Sequence, residues 1–173
     1  PSQSGFETFG MGFVTDGLGT EAETLFVTGG SHLDPGKGRM ASIDKKSLML
    51  TPIGSLPTTE YGPELTGTGR GELWAYFPGI GESFVAMMDK GTGMPAQKYP
   101  LSPLPGTVRA WAFAHWGGRY YIFVTVFDPM LGRNNSQILM FTPDDGMVQK
   151  IMDNLPYIIV GAGVSTCAPV VIG

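Results

Sequence analysis

The feature that most constrains this chain is a repeat. Leu25 and Leu73 lie 48 residues apart, and Leu73 and Tyr120 lie 47 apart, each inside a short aromatic and β-branched run. The runs are Glu23-Thr24-Leu25-Phe26-Val27, Gly71-Glu72-Leu73-Trp74-Ala75-Tyr76 and Gly118-Arg119-Tyr120-Tyr121-Ile122-Phe123, and such runs read as strands. Before each comes a segment rich in small residues: Phe9–Val14, Glu64–Gly69 and Ala110–Ala114. Small side chains suit a crowded strand that other backbones approach closely. After each comes an apolar strand ending in an Asp-containing turn, at Asp44-Lys45-Lys46-Ser47, Asp89-Lys90-Gly91-Thr92 and Asp144-Asp145-Gly146. Asp and Gly favour tight hairpin turns, and a further strand follows each turn, over Leu48–Ile53, Pro95–Leu101 and Met147–Leu155.

The unit is therefore four strands, repeated over about 9–56, 64–104 and 110–156, with an extra small-residue strand expected at 157–164. Val148, Ile151, Met152 and Leu155 also fall at helical spacing, but their place after an Asp-Asp-Gly turn favours a strand. The expected fold is one all-β, propeller-like domain.

Four-stranded units at this period mark propeller blades. In this strand rhythm the chain resembles the blades of Kelch-, NHL- and quinoprotein-type propellers. It carries no WD dipeptide, paired-Gly Kelch signature or quinoprotein tryptophan docking motif. The resemblance therefore implies a fold and no particular activity. Three repeats and one strand do not close a ring, for which about four blades are needed. Three closures follow: further sequence of a longer propeller, a second copy giving a homo-oligomer of six blades, or a β-sandwich or barrel instead.

Composition limits the partners. Hydrophobic residues make up 42%, enough for a core despite 26 Gly and 14 Pro. The net charge is −4 with no basic cluster, which argues against a nucleic-acid backbone as partner. No apolar stretch is long enough for a membrane span. No signal peptide is visible, and a chain starting at Pro1 fits a mature or trimmed form. Low charge with many Gly, Ser and Thr leans towards a secreted or cell-envelope protein. Cys167 has no partner for an internal disulfide and reads as a small buried residue in a strand.

No motif completes a catalytic or cofactor set. Gly30–Gly38 has five residues between its first Gly and Gly-Lys and no Ser or Thr after the Lys, unlike a phosphate loop. Gly67-Thr68-Gly69-Arg70-Gly71 lies between strands, as a hairpin turn rather than a dinucleotide fingerprint. Gly163-Val164-Ser165-Thr166-Cys167 lacks the closing Gly of a nucleophile elbow. His32 and Asp34 are too few for a metal site, and His115 reads as a structural residue at a strand end. Asn134-Asn135-Ser136 fits a glycosylation sequon within a polar loop. No cofactor and no metal are expected.

Strand order supplies what motifs do not. In a propeller the connections between second and third strands, and between blades, share one face. Here these are the long loops, and they hold His32, Asp34, Tyr61, Glu64, Arg109, Asp128, Arg133 and Asn134 as candidate ligand-binding residues. The expected function is a non-catalytic binding module taking a glycan or protein there. One alternative is a hydrolase or lyase in which His32, Asp34 and Arg109 or Arg133 converge. The other is an assembly module docking through its last strand. Trp74, Tyr76, Trp111, Trp116, Tyr120 and Tyr121 read first as packing between blades and second as platforms for sugars.

Overall fold

The structure is a computed structural model that describes residues 5–30, 38–79, 81–130 and 132–171. Among these described residues the regular elements are twelve strands and no helix. They form three four-stranded antiparallel sheets, each taken from consecutive strands. The first holds β1 (Thr8–Thr15), β2 (Glu23–Gly30), β3 (Arg39–Ile43) and β4 (Leu50–Ser55). The second holds β5 (Glu64–Gly67), β6 (Leu73–Phe77), β7 (Ser83–Met88) and β8 (Pro95–Leu101). The third holds β9 (Thr107–Trp116), β10 (Arg119–Asp128), β11 (Arg133–Thr142) and β12 (Met147–Leu155). No helix among the described residues is long and apolar enough to cross a membrane.

Alternation along strands stacks the sheets. In β6, Leu73, Ala75 and Phe77 join Val14, Phe26, Met40 and Leu65 in a core between the first and second sheets. Trp74 and Tyr76, the residues in between, join Phe113, Tyr120, Ile122 and Phe141 in a core between the second and third. Every residue of β6 is consequently buried, as a strand with both faces covered must be. The packing role expected for Trp74, Tyr76 and Tyr120 is seen directly; the Trp74 and Tyr120 rings lie 4.5 Å apart.

The first strands of the three sheets lie side by side and run the same way. His115 N donates to Thr66 Oγ1 at 3.2 Å, joining β9 to β5. On the other side β5 meets β1 so closely that a Cβ on Gly10 would lie 2.5 Å from the Pro63 carbonyl oxygen. Small residues in these strands thus answer to backbone approach, as their sequence suggested. Because the strands share one direction, the connections from second to third strands and from sheet to sheet fall at one end of the stack and the other turns at the opposite end. Length does not separate the two ends, since the 16–22 connection of the second group is longer than 78–82 or 129–132 of the first.

Two expectations need correction. Residues 157–164 form no strand; β12 is the last. The segment leaves β12 beside Arg133 and Asn134 and passes Met11–Phe13, Leu65–Gly67 and Phe113 at Ala162–Val164. Thr166 then donates its hydroxyl to Glu23, and the Pro169 carbonyl accepts from Gly117 N at 2.7 Å. It therefore touches all three sheets rather than one edge, and no single strand offers it a continuous row of donors and acceptors. Cys167, expected to be buried in a strand, is exposed on this tail. Thr166 and Ala168 on either side of it are buried, and Cys167 lies in a turn closed by Ala168 N donating to the Ser165 carbonyl at 2.9 Å, which leaves its thiol exposed.

The helical spacing at the end of the third repeat is also explained. Val148, Ile151 and Met152 are 39%, 41% and 50% exposed on an outer strand, so their periodicity marks no buried face.

Candidate functional site

At the end of the stack where the β4–β5 connection lies, a cleft of about 240 Å³ opens between the first and second sheets. Its floor is made of small residues, among them Gly10, Gly29 and Gly38, and its walls include Phe9, Tyr61, Glu64 and Trp111. The loop joining β4 to β5 carries Tyr61 to this position. It is pinned where Thr28 Oγ1, fully buried, donates to the Pro63 carbonyl at 2.8 Å. Tyr61 meets Trp111 of β9 at 5.4 Å between ring centroids, tilted by 55°. The two rings, one from the β4–β5 loop and one from β9, form one aromatic wall.

Glu64 begins β5 and stands beside this wall. Burial pushes its carboxyl up to about 7, against an ordinary value of 4.5. Near neutral pH the group therefore exists in both forms and can donate or accept a hydrogen bond. It is the only carboxyl among the described lining residues.

Of the eight residues expected in a ligand site, the structure brings Tyr61 and Glu64 together here. Arg133 and Asn134 line a separate cleft of about 410 Å³ with Asn154–Ile158, at the end of the third sheet. Arg109 lies over the Phe127 ring at 5.4 Å. The Asp128 carboxylate accepts from Met130 N at 2.8 Å in its own turn. His32 and Asp34 lie outside the described residues, in the connection whose ends, Gly30 and Gly38, border the Glu64 cleft. Among the described residues, no group of three or more His, Cys, Asp or Glu is placed to hold a metal ion.

Phe9 was missed as a site residue, because it reads as part of a small-residue strand. Trp111 was read first as packing, yet it is only half-buried and faces the cleft. Its signal was present: a large aromatic set between Ala110 and Ala112 in a first strand.

No protein-family model matches the chain, and no curated protein matches its sequence.

Proposed function

We propose that this chain is a non-catalytic binding module of a secreted or envelope protein, taking a glycan in the cleft between Tyr61, Trp111 and Glu64. The observation that carries the reading is the Tyr61–Trp111 wall beside a single half-buried carboxyl. Sugar rings offer apolar C–H faces to aromatic side chains and hydroxyls to a carboxyl group. The scaffold reads as three blades of a propeller. Its support is the repeated sheet, the parallel first strands, and the outward face of the first sheet, where Met11 and Phe13 are 48% and 39% exposed.

Glycan-array screening of the whole chain tests the binding role. A saturable hit is expected, weakened at least about tenfold by Trp111→Ala or Tyr61→Ala. Absence of any glycan hit together with measurable turnover of a substrate would sink the reading. So would a hit that both variants retain at full strength.

A further inference from the structure

A second cleft, of about 400 Å³, opens at the opposite end of the stack between the second and third sheets. The β5–β6 turn supplies Arg70 and Glu72, and Arg119 and Asp144 come from the third sheet and its last turn. Among the described residues none of these four forms an ion pair with another. Two more polar side chains are among the lining residues: Trp74, 4% exposed, and His115, 2% exposed. Trp74 Nε1 and His115 Nδ1 are buried without a hydrogen-bond partner. His115 Nε2 accepts from Gly118 N at 3.3 Å, which leaves the ring proton of neutral histidine on Nδ1. Burial lowers the pKa of this imidazole and so holds it neutral, with Glu72 opposing and Arg70 adding to the effect.

Both unpartnered atoms are thus N–H donors, in a setting where buried donors are nearly always paired. Two unpartnered buried donors and two arginines, all on residues lining one cleft, favour an acceptor-rich group, and a carboxylate is one. Glu72 and Asp144 disfavour a doubly charged phosphate. They can instead accept hydrogen bonds from the rest of a ligand; Glu72 Oε2 already accepts the Thr68 hydroxyl at 3.2 Å. We propose that this cleft binds a small, singly charged carboxylate that also carries hydrogen-bond donors, as sugar acids and amino acids do. The site is independent of the glycan cleft at the other end.

The test uses the whole ¹⁵N-labelled chain and follows the indole N–H signal of Trp74, assigned by elimination with Trp111→Phe and Trp116→Phe. Galacturonate, glycine, galactose and inorganic phosphate are titrated separately. Galacturonate or glycine should shift the Trp74 signal saturably and leave that of Trp111 in place. A response to galacturonate alone assigns sugar acids, and one to glycine alone assigns amino acids. Arg119→Gln should weaken the response at least about tenfold. Arg70→Gln, on an exposed turn, makes the same test should Arg119→Gln fail to fold. The proposal is overturned by no saturable shift with either carboxylate, as expected for a cleft holding only water. Equal binding of galactose, tighter binding of phosphate, or full affinity in a folded arginine variant would overturn it too.

Discussion

Leu48 and Gly93 hold the same position in the same turn, one sheet apart, and both have positive φ, 58° and 79°. The turns match bond for bond. Asp44 Oδ1 accepts from Lys46 N, Ser47 N and Ser47 Oγ at 3.1, 2.7 and 2.8 Å. Asp89 Oδ1 accepts from Gly91 N, Thr92 N and Thr92 Oγ1 at 2.9, 2.8 and 2.9 Å. These bonds favour the ionised carboxylate and lower the pKa of both aspartates. A leucine is strained at positive φ and a glycine is not. Leu48→Gly should therefore raise stability by about 0.5–1 kcal/mol, the relief being partly offset by a freer unfolded chain. Gly93→Ala should lose about 1 kcal/mol or more, since its Cβ would also crowd Met40 at 3.2 Å. Urea-denaturation midpoints of the two variants, moving in opposite directions, check this.

Glu64 makes stability depend on pH. Its folded pKa, about 7, lies above the ordinary 4.5, so the folded chain holds this proton more tightly than the unfolded one. The resulting stabilisation is complete below the ordinary carboxyl range and is lost as pH rises through about 7. Allowing for partial solvent screening, the loss is about 1–2 kcal/mol. Glu64→Gln should flatten this part of the profile and be more stable than the wild type at alkaline pH. Urea midpoints measured near pH 5 and pH 8 decide it; an unchanged slope in the variant would refute the assignment.

Trp74 and Trp116 should separate core from surface. Trp74 is 4% exposed among the rings of the second core, whereas Trp116 is 55% exposed at the end of β9. Trp74→Ala should cost about 3–5 kcal/mol, and Trp116→Ala less than about 0.5 kcal/mol. Thermal unfolding of the two variants gives the comparison.

The tail can be read by thiol chemistry. Cys167 is exposed while its neighbours Thr166 and Ala168 are buried. A thiol reagent should therefore modify Cys167 fully in the folded protein, without denaturant. In a Thr166→Cys, Cys167→Ser variant the moved thiol should react at least about tenfold more slowly, because local opening must precede modification. Equal rates would place the tail free of the sheets.

The repeat was legible because each sheet is made of consecutive strands with local hairpins. Pro95–Leu101 and Met147–Leu155, read as outer strands, are β8 and β12 to the residue. The loop list was not legible in the same way: strand order fixes which connections share an end, but Glu64, Arg109, Asp128, Arg133 and Asn134, expected in loops, lie in β5, β9, β10 and β11. Nor was it legible which loops converge. Tyr61 and Glu64 meet Trp111 while Arg109 and Arg133 stay apart, and no spacing along the chain encodes a distance between loops of different sheets. His115 gave no local sign either: its neighbours across the cleft, Arg70 and Glu72, come from a turn more than forty residues earlier.

The sequence by itself determined the elements: twelve strands, grouped by fours, with their turns and their alternation. These depend on side-chain period and turn chemistry, which act between residues close in the chain. Only the tertiary structure decided the fate of residues 157–164 and the position of both clefts. The tail has the small residues of a first strand, but the three first strands it meets belong to three different sheets. Whether such a segment pairs depends on a free edge in register, and that is a property of how the sheets stack rather than of the segment.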